Sequence, residues 1–305
     1  MPRILVVGSI NMDIVARVDR VPAGGENVRG ADLRTIPGGK GANQAVACAR
    51  LGAETTFLGR VGDDAFGERL RQGLAQAGIR TDALQTVVGC ASGIALILVD
   101  AAGQNTIVVT AGANGRLSPA DVDAARALFD AADAVVLQLE IPPETVARAL
   151  RLAREAGKPT ILDAGPPRTP VDPAVFGCTV LTPNEAEAAA LLDLAPGAMR
   201  LEETARELLA RGPEAVVIKA GDQGAVVAER GRLVRAAAFK IDPVDTTAAG
   251  DAFTAALALE FVKGTDLAEA ARVANAAGAL ACLRLGAQPS MPTADKLAEF
   301  LARHV

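Results

Sequence analysis

Histidine is almost missing from this chain. Of 305 residues only His304 is a histidine, and it stands beside the C-terminus. That excludes Ser-His-Asp catalysis and histidine-rich zinc sites, so acid–base chemistry falls to carboxylates, Lys, Cys or backbone dipoles. Tryptophan and tyrosine are absent, and the eight phenylalanines are scattered. Cys48, Cys90, Cys178 and Cys282 lie far apart and form no C-x-x-C pair. They read as small buried hydrophobes in a reducing compartment, so a cytoplasmic protein is expected. A positive surplus is missing too: the net charge is −5, and nucleic acid is not an expected partner. No run approaches the ~18 apolar residues that span a membrane. The chain enters a strand pattern at once, so neither a membrane anchor nor a leader peptide is expected. What is present is apolar mass: 50% of the residues are hydrophobic, enough for a large core in one domain of residues 1–305.

The most informative stretch is Asp245-Thr246-Thr247-Ala248-Ala249-Gly250-Asp251. Residues 252–262 follow it without Gly or Pro and read as a helix; Ile241-Asp242-Pro243-Val244 before it reads as a strand end and turn. The first amides of a helix have no partners within it and sit at the positive end of its dipole. Ala248, Ala249 and Gly250 leave that backbone bare, so an anion such as a phosphoryl group fits there. Asp251 then has two readings. One is a carboxylate capping its own helix. The other is a base that takes the proton of a hydroxyl attacking a phosphoryl group, which needs an acceptor beside an anion cradle.

Residues 4–9 read as a buried parallel strand. A hairpin pattern follows over residues 14–18 and 28–35 before any helix, out of βαβ order, so it is expected to project from the main sheet. Asn11 and Asp13, near the end of the first strand, fit a ligand edge or a turn and cap. Pro37-Gly38-Gly39-Lys40-Gly41-Ala42-Asn43-Gln44 leads into a helix over 42–51. It is neither a P-loop nor a G-x-G-x-x-G fingerprint; Lys40 and Asn43 add donors where the backbone is bare, which suits sugar hydroxyls. After a strand at 55–59 and a helix at 65–77, residues 92–99 and 105–109 form a second hairpin pattern. Strands at 134–139, 160–163, 179–181 and 215–219 alternate with helices at 120–129, 144–156, 185–192 and 202–210, and helices at 267–283 and 293–302 close the chain. This is an α/β pattern with a mostly parallel sheet flanked by helices. Glu140 falls at a carboxyl edge. Asn184 and Glu187 share one face of a first helical turn, suited either to magnesium-bound water near phosphates or to capping. Lys219-Ala220-Gly221-Asp222 ends a strand where a nucleotide would lie.

Taken together, these motifs resemble the ribokinase-like, or PfkB, carbohydrate kinases. Gly8-Ser9-Ile10-Asn11-Met12-Asp13, Gly38-Gly39-Lys40-Gly41-Ala42-Asn43-Gln44-Ala45, Thr182-Pro183-Asn184-Glu185, the stretch ending in Asp251, and Gly286-Ala287-Gln288-Pro289-Ser290 occur in the family's order and spacing. The resemblance implies the Rossmann-like fold of that family, with a small β-sheet lid from about 11–36 and 89–110 that also pairs two subunits. It implies ATP- and Mg2+-dependent phosphorylation of the 5-hydroxyl of ribose, with Asp251 as base and Ala248, Ala249 and Gly250 as anion hole. Asn11, Asp13, Gly39, Lys40, Asn43 and Glu140 match sugar-binding positions, and Asn184 and Glu187 match those that organise Mg2+ and phosphates. Asn184, Lys219, Gly221, Asp222, Gly250 and Asn275 fall where ATP is contacted. Asp245, Thr247, Cys282, Leu285, Gly286 and Ser290 match a site for an activating K+. The chain departs from the commonest pattern at Ala252, Thr254 and Lys219, where Thr, Asn and Thr are frequent, and at Cys282 in the cation loop.

The proposed lid segments contain no aromatic residue, and base stacking on an aromatic contributes ~1–3 kcal/mol. That favours a bare sugar over a nucleoside. Deoxyribose, fructose and other small sugars stay open, as does a non-catalytic sugar-binding regulator on the same fold. A dinucleotide dehydrogenase lacks its glycine fingerprint.

Overall fold

A computed structural model describes residues 1–167, 169–195 and 198–304. The expected domain of 1–305 therefore includes Arg168, Pro196, Gly197 and Val305, which lie outside the described residues. The chain opens with β1 (Arg3–Val7), β2 (Asn11–Val18), β3 (Gly30–Gly38), α1 (Lys40–Arg50), β4 (Glu54–Gly62) and α2 (Ala65–Gln76). Next come β5 (Leu84–Val87), β6 (Gly93–Val99), β7 (Asn105–Thr110), α3 (Pro119–Ala124), α4 (Arg126–Ala131) and β8 (Ala134–Leu137). Then follow α5 (Pro143–Glu155), β9 (Thr160–Leu162), β10 (Val180–Leu181), α6 (Glu185–Leu191), α7 (Leu201–Ala210) and β11 (Ala215–Lys219). The last elements are β12 (Ala225–Glu229), β13 (Arg232–Ala236), α8 (Ala249–Val262), α9 (Leu267–Cys282), α10 (Ala287–Ser290) and α11 (Ala294–Arg303).

Nine strands form one sheet in the order β13-β12-β11-β10-β9-β8-β1-β4-β5. Its pairings are parallel except at β11–β12 and β12–β13. In β1, Ile4 and Val6 enter one core while Leu5 and Val7 enter another on the opposite face. Side chains alternate along a strand, so a strand covered on both faces is a plain apolar run. Helices α1, α2, α8, α9 and α11 cover one face, and α3 to α7 cover the other.

The remaining strands form a separate small sheet, β3-β2-β6-β7. It consists of two antiparallel hairpins joined by a parallel β2–β6 ladder. This is the projecting sheet expected from the two early hairpin patterns. Asn11 and Asp13 belong to its first strand, β2, rather than to the end of β1.

Several local expectations need correction. The helix expected at 120–129 is broken at Ala125 into α3 and α4. Residues Ile241-Asp242-Pro243-Val244 form no strand; Pro243 has no amide to donate, and Val244 and Asp245 instead donate to the Cys282 carbonyl at 2.8 and 3.2 Å. β5, β12 and β13 were not anticipated; β12 and β13 meet at Arg230-Gly231, where Gly231 has φ 78°. Cys48, Cys178 and Cys282 are buried as expected, but Cys90 is half-exposed.

Helix α8 is apolar on all sides, and every residue from Asp251 to Leu259 is buried. A helix of that composition is stable only inside the protein. It lies against α1 and the alanine-rich α9. Small residues set the spacing: a Cβ at Gly278 of α9 would lie 3.2 Å from the Ala249 carbonyl oxygen. The start of α8 is thus fixed from two sides, and α1 brings its own N-terminal turn to the same place.

Candidate active site

Asp251 does not cap its helix. Ala248 holds the cap position with φ 60° and ψ 13°, and no side chain caps the first amides. A left-handed alanine costs roughly 1–2 kcal/mol, and here it turns the Ala248 carbonyl to accept from Asp251 and Ala252 at 3.1 and 3.0 Å. The Ala249 amide reaches Thr246 at 3.3 Å, while the Gly250 amide has no acceptor among the described residues. The Asp251 carboxylate turns away from these amides. It accepts from Asn43 Nδ2 at 2.9 Å and Gln44 Nε2 at 3.0 Å, both from the first turn of α1. Only 4% of Asp251 is exposed. Burial pushes its carboxyl up to about 6, with Lys40 opposing and Asp163 adding to the shift.

Gln44 gives the same Nε2 to Asp163 Oδ2 at 2.9 Å and accepts Gln138 Nε2 on its own oxygen at 2.6 Å. Asp163, just past β9, is fully buried. Its two oxygens face Lys219 Nζ at 3.1 Å and Lys40 Nζ at 3.5 Å. Burial works against its charge, yet Lys219 and Lys40 outweigh it and hold the carboxyl below its ordinary value. Burial also works against the Lys40 charge, and there Asp163, Asp251, Glu187 and Glu140 outweigh it and raise the pKa. An ion pair this deep persists because each charge has several partners. Sequence reading had passed over Asp163 and Gln44 as site residues. Asp163 looked like a strand end, though an acid closing an apolar strand at the carboxyl edge was a usable signal.

On the β2 side, Glu140 accepts from the Ser9 hydroxyl and from the Lys40 amide at 3.0 Å. Glycines make this approach possible. Gly39 has φ 87°, and a Cβ there would lie 2.8 Å from the Asn11 nitrogen; one at Gly41 would lie 2.7 Å from the Ser9 backbone. Asp13 faces the same space, and burial, then Glu140 and Asp251, push its carboxyl up to about 7. Asn11 Oδ1 accepts from Asn114 Nδ2 at 2.7 Å. Asn43 Oδ1 is buried without a partner among the described residues. Asn11, Asp13, Gly39, Lys40, Asn43, Glu140 and Asp251 therefore gather into one polar, acceptor-rich cluster at the edge of the small sheet, where Asn43 Oδ1 has capacity to spare.

Across the start of α8 lie the other expected residues. Asn184 and Glu187 form a reciprocal capping box, with bonds of 2.7 and 2.8 Å; the free Glu187 oxygen lies 3.6 Å from Lys40 Nζ. Gly221 and Asp222 form a short turn after Lys219. Asn275 is committed to the Ala236 and Ala237 carbonyls at 3.1 and 3.0 Å, tying down the segment after β13. In the expected cation loop, Asp245 accepts from Thr247 Oγ1 at 2.6 Å and from the Gly286 amide at 2.8 Å. Burial opposes its charge, and these bonds hold it below its ordinary value. The Cys282 carbonyl joins the same cluster, Ser290 bonds to Ala287 within α10 at 2.8 Å, and the Leu285 side chain is exposed.

A buried carboxylate beside a bare helix N-terminus, with an acceptor-rich polar cluster on one side and a strand-end lysine on the other, suits phosphoryl transfer to a hydroxyl. The pfkB carbohydrate kinase family matches residues 1–294. The chain belongs to the pfkB family. As a pfkB kinase it is an enzyme that transfers phosphate to a carbohydrate, on the mostly parallel, helix-flanked sheet with a small second sheet described above. It is 40% identical to ribokinase from Bacillus subtilis over 302 residues, 99% of this chain and 100% of that protein. Ribokinase from Thermotoga maritima has a similar solved structure, with TM-score 0.90, 34% identity and coverage of 99% and 100%. Arabidopsis thaliana ribokinase complexed with ribose and ATP aligns with TM-score 0.90 and 32% identity over 98% of each chain.

Proposed function

We propose that this pfkB kinase phosphorylates D-ribose on its 5-hydroxyl with ATP, giving ribose 5-phosphate and ADP. The observation that carries the reading is Asp251, buried beside an open helix start and held by α1 rather than capping its own helix. The 5-hydroxyl oxygen attacks the γ-phosphorus as the bond to the β-phosphate oxygen breaks. Asp251 takes the hydroxyl proton, and the electron pair of the broken bond leaves on ADP. Asn11, Asp13, Gly39, Lys40, Asn43 and Glu140 orient the sugar. The backbone of Ala248, Ala249 and Gly250 receives developing charge, where preorganised donors act most strongly. Gly221, Asp222 and Asn275, with Asn184 and Lys219, line the nucleotide side.

Magnesium would neutralise phosphate charge, with Asn184 and Glu187 as the residues that organise it. Among the described residues no three His, Cys, Asp or Glu gather as a metal cage, which fits an ion that arrives with ATP. The carboxylate, hydroxyls and carbonyls of Asp245, Thr247, Cys282, Leu285, Gly286 and Ser290 form a donor set suited to K+. Exposed Leu33, Leu96, Ile107, Val108 and Val109 on the small sheet support a homodimer through that sheet, which also acts as the lid. No described helix is long and apolar enough to cross a membrane; four free cysteines support a cytoplasmic placement.

The test is ADP release from purified protein with MgATP and ribose, 2-deoxyribose, fructose or adenosine, with and without K+. Ribose-dependent turnover raised by K+ is expected. Faster turnover on another sugar would move the substrate assignment and keep the mechanism. Ribose binding with no turnover on any acceptor would replace the kinase reading with a regulatory one.

A further inference from the structure

Lys219 is more than the counter-ion that a buried carboxylate requires. Asp163 also faces Lys40, which Glu187 shares at 3.6 Å, so Lys219 at 3.1 Å is the nearer of its two cations. Lys219 ends β11 at the carboxyl edge of the main sheet, and its side chain is only 10% exposed. An ammonium carries three donors. One goes to Asp163 Oδ1 at 3.1 Å; the other two have no acceptor among the described residues. A long cation held in a confined place with free donors awaits an anion.

The direction it faces is set by Gly250. A Cβ at Gly250 would lie 3.6 Å from Lys219 Nζ, so nothing stands between the ammonium and the open start of α8. The Lys219 ammonium thus lies beside Gly250, in the first turn of α8, next in sequence to Asp251. Lys40 stands on the sugar side of Asp163, its amide bonded to Glu140. Asp163 thus spaces two ammonium groups, one toward each end of the reaction path.

We propose that Lys219 is a further catalytic residue, its ammonium contacting an oxygen of the phosphoryl group in transfer, with Asp163 as the residue that positions it. Lys219 gives and takes no proton; it meets negative charge that builds on the phosphoryl oxygens while the oxygen–phosphorus bond to the sugar forms and the one to ADP breaks. The turnover part of this inference rests on the sugar-kinase reading, whereas the nucleotide-binding part does not.

The experiment compares the full-length wild type with Lys219→Met, Asp163→Asn and the double variant Lys219→Met/Asp163→Asn. Lys219→Met is expected to lower kcat about 100- to 1,000-fold, the loss typical of one preorganised donor, with the KM for ribose nearly unchanged. Calorimetry with MgATP and MgADP should show the wild-type preference for ATP collapsing in Lys219→Met. Asp163→Asn should lose part of kcat, because the lysine remains and only its anchor weakens. The double variant removes the acid together with the lysine that faces it, so it carries the test even where Lys219→Met folds poorly. It should stay as slow as the single lysine variant. Recovery of the double variant to near wild-type kcat would reduce Lys219 to a counter-ion, and an unchanged ATP-over-ADP preference in Lys219→Met would also overturn the proposal. If the wild type turns over no sugar, the ribose reading fails separately, and nucleotide preference alone decides on Lys219.

Discussion

The two sheets of this kinase are built on opposite terms. In the large sheet, β1 buries every residue after Arg3, and its side chains are divided between two continuous cores. In the small sheet, β7 exposes all six of its residues. The large sheet can hold charges at fixed separations, because each strand end that carries one is locked by packing on both sides. The small sheet is held chiefly by its ladders and by what it closes over. Asp13 belongs to it, yet its environment is set by Glu140 and Asp251, which the large sheet and α8 carry. Precision therefore resides in one sheet and adaptability in the other, and the sugar pocket proposed above lies where they meet.

Four substitutions test this division between a rigid and an adaptable sheet. The largest effect is expected at the rigid side of the site: Asp251→Asn should lower kcat by about 1,000-fold, within the range of a lost general base, while ribose binding measured by calorimetry persists. Near-wild-type turnover would remove Asp251 as base. Because its carboxyl is raised to about 6 and must be ionised to accept a proton, kcat should rise with pH through that region and level off above it. A pH profile flat across this region would mean the base titrates elsewhere.

Next is Phe57, a fully buried side chain in β4. Phe57→Ala should cost ~3–5 kcal/mol of stability in a urea titration. A loss under ~1 kcal/mol would mean that the large sheet is not packed as rigidly as its burial indicates.

At the meeting point, Asp13→Asn should weaken ribose binding and yet stabilise the empty protein at pH 8 by about 2–4 kcal/mol. The sign follows from the raised pKa. Between about 4 and about 7 the folded Asp13 keeps a proton that the unfolded chain releases, and above that its charge is held in a buried place. Its stabilising contribution is full below the unfolded value near 4 and is lost as pH rises through about 7. A variant less stable than wild type at pH 8 would contradict the burial described for Asp13.

The smallest effect is expected on the small sheet. Val108→Ala, at an exposed position of β7, should change monomer stability by less than about 0.5 kcal/mol. A cost near that of Phe57→Ala with no change of mass in light scattering would mean that Val108 packs inside the monomer, against its exposure.

What the sequence revealed follows the same division. Backbone constraints leave marks in sequence: Gly39 and Gly41 are required by close approach, and the small residues before Asp251 announce a bare helix start. That Gly39, Lys40, Asn43 and Glu140 gather with Asp251 was legible for that reason, and so was most of the order of strands and helices. Asp163 was not. Lys40, Gln44, Lys219 and Thr254 come to it from distant parts of the chain, and only the folded sheet brings them together. Gln44 stood in a recognised glycine cluster, yet nothing local shows that one amide would serve two acids. The hairpin of β12 and β13 was hidden by its alanine and arginine content, which gives little strand propensity; its Arg230-Gly231 turn was the available clue. Asn184 and Glu187 were equally compatible with capping and with phosphate organisation, and the capping box is formed.

Gln44 has a consequence of its own. Its nitrogen lies between Asp251 and Asp163, and its oxygen is fixed by Gln138. A carboxamide holds both hydrogens through any pH at which the protein is folded. A water or a histidine in that position would conduct a proton from one acid to the next; the amide does not. In the proposed reaction the hydrogen that leaves the sugar therefore has one address, and the charge on Asp163 that faces the two lysines is kept apart from it. The site keeps its acid–base event and its electrostatic frame on separate circuits, with a single side chain as the insulation between them.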